Sequence, residues 1–240
     1  MKAPLWRQLV WAPLLLLALT LPLGLVACAA ERGAQPLGCA SGTIPCLSGT
    51  AVVALETSRG RVLLRLDGKN APLTAGNFVD LVRRGVYDGT IFHRVVREPV
   101  PFVVQGGDPS SANPRVAPSQ YGSGNFIDPS SGEARLIPLE IKRQQDGEPQ
   151  YGKELTTPVI TKELALSHQR GSLAMARSQD PNSASAQFYI ALEALPELDG
   201  RYAVFGQVTQ GMEVVDAIRQ GDKLVKARLI EGGKLVKGEP

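Results

Sequence analysis

The 240-residue chain is long enough to bury the core of one domain or of two small ones. Its 43% hydrophobic and 20% charged residues exclude a disordered or fibrous chain. The formal charge of +3 includes Lys2 and Arg7 from a 27-residue start without Asp or Glu; the rest has 24 basic against 23 acidic residues, a net +1 and no footprint for nucleic acid.

Residues 1–27 read as an export signal. Lys2 and Arg7 form the basic start, and an apolar run from Leu9 to Leu19 continues to Leu23. The stretch ends in Leu25-Val26-Ala27-Cys28, which resembles the bacterial lipobox, whose cysteine is lipidated and becomes the mature N-terminus. The resemblance implies an exported lipoprotein, attached through lipid on Cys28 to the extracytoplasmic or periplasmic face of a membrane. Several acyl chains, at about 0.8 kcal/mol per buried methylene, make such an anchor stable. The competing reading is an uncleaved anchor helix, which Pro13, Pro22 and Gly24 interrupt. Residues 28–50 are small, Gly-rich and weakly apolar, and read as a tether. In an oxidising compartment Cys39 and Cys46 suit a disulfide closing a short loop, nominally worth ~2.5 kcal/mol. Placed in a tether, that gain hardly reaches the domain. Free thiols and a second lipid site are the other readings.

A domain is expected over residues 51–238. Ala51–Thr57 and Val62–Leu66 flank Ser58-Arg59-Gly60-Arg61 and predict a hairpin, Gly60 taking a positive φ. Pro72 to Arg84 predicts a helix. Proline suits its first turn, Ala75, Phe78, Val79 and Val82 recur at helical spacing, and Gly85 stops it. Strands follow at 91–96 and 102–107, the first holding Arg94 inside an apolar run and the second closing on Gln105 before Gly106-Gly107. An arginine among buried residues is costly unless its guanidinium finds partners, and Gln105 is a candidate partner. The alternative is an arginine pointing outward from an edge strand.

Residues 108–135, rich in Ser, Gly, Asn and Pro, predict an irregular loop. Within it Gly122-Ser123-Gly124 lacks the Lys-Ser/Thr and the helix pattern that a phosphate cradle needs. A strand is expected at 136–141, and a polar surface excursion at 142–163. Strands at 172–177, 186–192 and 203–209, a short helix from Met212 to Arg219, and a final pair at 223–230 and 234–237 that closes the sheet complete the chain. This many strands with two helices suits a closed antiparallel barrel.

Four segments carry a resemblance. They are Phe92-His93-Arg94-Val95 with Phe102-Val103-Val104-Gln105-Gly106-Gly107-Asp108, Gly171–Arg177, Ser185–Ile190, and Leu198–Gly206. In this order they resemble the cyclophilins, a family of peptidyl-prolyl cis/trans isomerases. The resemblance implies a mostly β fold: a closed, eight-stranded antiparallel barrel capped by two α-helices. It implies isomerase activity that assists the folding of exported proteins, with no cofactor and no metal. Proline-containing polypeptides are the implied partners, and the chain is expected to be monomeric. The alternative is a proline-peptide binding chaperone or scaffold with little turnover.

The chemistry sets what the site must contain. Rotation about a peptide bond meets a barrier of about 18–20 kcal/mol, and no nucleophile or proton transfer is needed to cross it. The catalyst must bind the twisted amide better than either planar form. Twisting returns a lone pair to the prolyl nitrogen, so a fixed cationic donor there stabilises the transition state selectively. The resemblance assigns that donor to Arg94 and its positioning to Gln105. Phe102, Val103, Tyr189, Leu198 and Tyr202 match the proline pocket and its rim, and Ala176, Arg177 and Gln187 match the peptide groove. His93 and His168 are expected to be structural. The chain departs from the family at Val103, Arg177, Tyr189, Glu197 and Tyr202, which stand where Met, Asn, Phe, Trp and His are frequent. Glu197 removes an aromatic wall that cyclosporin-like macrocycles use, and Arg177 is expected to charge the groove and favour acidic peptides.

Overall fold

The computed structural model describes residues 38–42, 44–157 and 161–237. The expected signal segment and Cys28, the expected lipid site, lie outside the described residues. Strands β2 (Thr50–Thr57) and β3 (Gly60–Asp67) form the expected hairpin, and Gly60 turns it with φ +136°. Helix α1 (Pro72–Arg83) follows, with Gly85 beyond its end at φ +70°. Then come β4 (Arg94–Val96), β5 (Val103–Gly106), β8 (Ser172–Met175), β9 (Phe188–Ala191), β10 (Val204–Gln210), α2 (Met212–Ala217) and β11 (Leu224–Gly232). Two short pairs stand apart. They are β1 (Cys46–Leu47) with β12 (Leu235–Val236), and β6 (Glu140–Ile141) with β7 (Gln150–Tyr151).

One antiparallel sheet of eight strands runs in the order β11-β2-β3-β10-β8-β9-β5-β4. It curls until its two edges meet. Just ahead of β4 and β11, Ile91 bridges Lys223, Phe92 N–H donates to the Asp222 carbonyl at 2.9 Å, and Leu224 N–H donates to the Thr90 carbonyl at 2.8 Å. The expected closed barrel is therefore a curled sheet whose edges touch at a bridge instead of through a continuous ladder. The interior is filled by Val53, Leu55, Leu64, Leu66, Val104, Phe188, Ile190 and Phe205, with Phe78, Val79 and Val82 of α1 and Val215 of α2 packed against them.

Three expectations change. Residues 234–237 do not join the main sheet, since Leu235–Val236 pair with Cys46–Leu47. The packed body starts before residue 51. Ile44, Cys46 and Leu47 are buried, and an added Cβ on Gly76 of α1 would run into the Pro45 carbonyl. Cys39 and Cys46 form a disulfide within this packed segment, so its constraint reaches the domain. Finally, the 142–163 stretch is not wholly a surface excursion. It supplies β7, the buried Leu155 and Tyr151, whose hydroxyl donates to Glu140 Oε1 at 3.0 Å.

Candidate active site on the outer face of the sheet

The register of the sheet assembles the site. Arg94 on β4 lies opposite Gln105 on β5, Gln105 opposite Tyr189 on β9, and Tyr189 opposite Ala174 on β8. Directly opposed residues share a face, so this row presents Arg94, Gln105 and Tyr189 on one side. That side is opposite the interior core. Val103, Ala174, Tyr189, Ala191, Leu195 and Val204 form a second apolar cluster there, with Phe102, Ala176, Leu198 and Tyr202 packed on it. Strands β8 and β9 are consequently buried on both faces, and their sequences read as unbroken apolar runs instead of alternating ones.

A cavity of about 220 Å³ opens in this cluster, lined by Arg94, Phe102, Val103, Gln105, Ala176, Arg177, Tyr189, Leu198 and Tyr202. The structure thus gathers the sequence-predicted residues into one pocket, and Gln187 lies at its edge. Most of its walls are apolar or aromatic, and Arg94, Gln105 and Arg177 add polar groups to the lining. Arg94 is on the edge strand and exposed, as its alternative reading required, yet it turns over the pocket. Its Cζ lies 5.6 Å from the centre of the Phe102 ring, and its Nη1 donates to Gln105 Oε1 at 3.3 Å.

A directed polar chain sits behind Arg94. Gln105 Nε2 donates to Gln187 Oε1 at 3.4 Å, and Gln187 Nε2 donates to the carbonyls of Gly122 and Gly124 at 3.0 and 2.9 Å. The two loop carbonyls only accept, so each amide is oriented in turn and Gln105 is left with an oxygen facing the arginine. The loop itself is held by the buried Asp108. Its carboxylate accepts from the Ser110, Gly122 and Gly124 N–H groups. Gly122 and Gly124 therefore do present N–H groups to an anion, and that anion is Asp108 of the same chain. Sequence reasoning missed this loop as part of the site because its role depends on carbonyl positions, which no side-chain pattern reports. His93 sits next to Asp108 and Gln187, and burial lowers its pKa.

Arg177 differs from expectation. Its side chain is only 5% exposed and pairs with Glu154 of the 142–163 insertion. It also donates to the carbonyls of Arg201, Ser178 and Gln179 and lies over the Tyr202 ring at 4.8 Å. It is a wall of the pocket whose charge is already matched, not a free cation in the groove. Glu197 is exposed in a short turn, Pro196–Leu198. It lines a larger neighbouring groove of about 940 Å³ and does not line the pocket.

Tyr189 is 4% exposed, and its hydroxyl meets His168 Nε2 at 2.9 Å. His168 Nδ1 meets Asp199 Oδ1 at 2.8 Å. Burial drives the Tyr189 pKa well above its ordinary value and lowers that of His168 despite Asp199. Both groups are therefore neutral near pH 7. Among the described residues no three His, Cys, Asp or Glu side chains gather into a metal-binding group.

A family model described as cyclophilin-type peptidyl-prolyl cis-trans isomerase/CLD matches residues 52–237. The chain belongs to the cyclophilin family. A Synechocystis protein named as a thylakoid lumen peptidyl-prolyl cis-trans isomerase is 39% identical over 206 residues, covering 81% of this chain and 51% of that one. The chloroplastic isomerase CYP38 of Arabidopsis thaliana is 39% identical over 177 residues, 70% of this chain and 37% of that one. The cyclophilin spans about half, or less, of these two relatives. A Streptomyces antibioticus isomerase, cyp18, is 34% identical over 70% of this chain and 83% of its own length. Among solved structures, a Cryptosporidium parvum cyclophilin crystallised in the presence of the dipeptide Ala-Pro superposes with a TM-score of 0.55. It covers 75% of this chain and 99% of that one at 24% identity, and so shares the fold.

Proposed function

We propose that this cyclophilin is a peptidyl-prolyl cis/trans isomerase acting on proline-containing segments of exported proteins. The observation that carries the reading is the guanidinium of Arg94 at the mouth of an apolar pocket, ordered from behind by Gln105 and Gln187. The prolyl ring fits among Phe102, Val103, Tyr189, Leu198 and Tyr202. Arg94 then faces the prolyl nitrogen and donates to it only when the amide twists and the lone pair returns. Ala176, Arg177 and Gln187 border the flanking backbone. The protein is read as a monomer tethered to an extracytoplasmic membrane face through lipid on Cys28. Support comes from the Leu25-Val26-Ala27-Cys28 sequence and from the thylakoid lumen and chloroplastic relatives.

The deciding experiment measures turnover on a short X-Pro peptide together with peptide affinity, for the full chain and for Arg94→Ala. Losing a comparable preorganised donor costs roughly 2.7–4 kcal/mol, or about 10²–10³ in rate. Turnover should fall by that order while affinity changes much less. Near-wild-type turnover in Arg94→Ala, or a loss confined to affinity, would reduce the protein to a proline-peptide binding module.

A further inference from the structure

Nothing in amide rotation consumes or releases a proton, so any dependence of turnover on pH reports the site's own groups. One such group lies directly beneath the pocket. Asp199 Oδ1 accepts both the His168 backbone N–H and His168 Nδ1, each at 2.8 Å. A carboxylate only accepts, so Nδ1 carries the proton and Nε2 keeps a lone pair. The Tyr189 hydroxyl must then donate to Nε2, across 2.9 Å. The two rings lie 10° from parallel, with their centres 5.9 Å apart.

The triad joins three elements that shape the pocket. Tyr189 is its floor on β9. Asp199 directly follows Leu198, the wall at the end of the Pro196–Leu198 turn. His168 also accepts Leu195 N–H at its carbonyl, at 3.1 Å, so it clasps both ends of the segment carrying Leu195 and Leu198. We propose that Asp199, His168 and Tyr189 form a positioning relay that holds the floor and one wall of the proline pocket. In its working state the histidine is neutral and the tyrosine donates.

Protonation of His168 would break this arrangement. Nε2 would become a donor, and the Tyr189 O–H would have to turn away from it. The surroundings offer the hydroxyl little in exchange. Asp199 is already engaged by His168, Glu197 acts on the ring only from a distance, and the groups facing Tyr189 are the Tyr202 ring, 5.9 Å away and edge-on, and the cations Arg177 and Arg94. His168 and Asp199 thus act through Tyr189 and Leu198, without touching substrate themselves.

The inference rests on this cavity being the proline site, which Arg94→Ala tests separately. Turnover and peptide affinity are measured between about pH 7.5 and 5 for wild type, His168→Gln and Tyr189→Phe, with circular dichroism at each pH. Wild type should lose turnover on the acid side by about two- to tenfold, the weight of one hydrogen bond, while affinity and fold hold. Both variants should lose the acid limb. Tyr189→Phe should also turn over about two- to tenfold more slowly at neutral pH. A flat wild-type profile overturns the relay, and so does an acid loss that tracks unfolding. An acid limb that survives in His168→Gln would assign it to His93 and overturn the proposal. Unchanged neutral turnover in Tyr189→Phe would do the same. In each case an inactive Arg94→Ala would leave the assignment of the pocket standing.

Discussion

Arg94 and Arg177 both stand in short strands or just beyond them, and both border the pocket, yet the charge of Arg177 is matched by Glu154 and that of Arg94 is open to the pocket. Arg94 is exposed and, among the described residues, has one long hydrogen bond, to Gln105 at 3.3 Å, which leaves donors that can meet a substrate. A lysine at this position would keep the charge but lose the planar fork that engages Gln105 and an incoming amide together. Arg94→Lys should recover part of the rate lost in Arg94→Ala and remain below wild type in the same peptide assay. Arg177 spends its donors on Glu154 and three carbonyls. Matched acidic and neutral X-Pro peptides should therefore bind wild type almost equally. Glu154→Gln should unmask the charge and shift affinity toward the acidic peptide at low salt, and added salt should erase the shift. Equal affinities in Glu154→Gln would show that Arg177 does not reach the groove at all.

Helix α1 shows how elements distant in sequence hold one another. It begins at Pro72 without a side-chain cap of its own. Glu140, 67 residues away from Leu73, supplies one instead: its carboxylate accepts Leu73 N–H at 3.0 Å and Thr74 N–H at 2.8 Å. Its carboxylate also receives the Tyr151 hydroxyl, and the side chain is buried. Negative charge at a helix N-terminus is favourable, and the removal of a buried acceptor strands its donors. Glu140→Ala should lower stability by about 2 kcal/mol or more, read from denaturant midpoints, with Glu140→Gln losing less. The Cys39–Cys46 loop lies against the same structure, Cys39 Sγ being 3.9 Å from the Tyr151 hydroxyl. Because Cys46 is in β1 and buried, reduction should destabilise the domain by up to ~2.5 kcal/mol instead of merely loosening a tether. An unchanged midpoint in the reduced protein would put the cross-link back outside the cooperative unit.

At the scale of the molecule, one sheet is covered on both faces over part of its width: the barrel core inside, the pocket cluster outside. Titration of buried groups should therefore show in global stability as well as in turnover. Burial holds His168 below its ordinary 6.5. As pH falls, the unfolded chain takes up this proton first, so stability present above about 6.5 is lost on the way down to the folded value. Asp128, which is not buried, is held below its ordinary 3.8 chiefly by Arg135 and then by Ser130, so its contribution is present above 3.8 and disappears in stronger acid. Glu140 has the opposite sign. Burial raises its pKa from 4.5, so it favours the fold most at low pH and less as pH rises through that window. The midpoint of denaturant unfolding should accordingly fall between about pH 7 and 5.5 in wild type and fall less in His168→Gln, the remainder belonging to His93, whose pKa burial also lowers. An equal fall in both would move the effect to another group.

The family, the order of the main strands and both helices were legible in the sequence, and the family resemblance named the residues that line the cavity. These follow from short-range patterns: alternation or unbroken apolar runs for strands, proline and glycine at the ends of α1, and four motifs whose order is unambiguous. The sequence also made Gln105 a candidate partner of Arg94, since two strands consecutive in the chain pair and bring nearby residues face to face. What it left open depends on contacts between segments far apart. The pairing of Cys46–Leu47 with Leu235–Val236, the cap that Glu140 provides for α1, and the neutralisation of Arg177 by Glu154 each join positions whose local sequence is polar or bland. The same holds for the bond from His168 to Tyr189. A histidine after Ser167 and a tyrosine in an apolar strand carry no mutual signal until the sheet sets their rings 5.9 Å apart. Local propensity acts over a few residues, whereas the partner of a buried polar group is chosen by the packing of the whole chain.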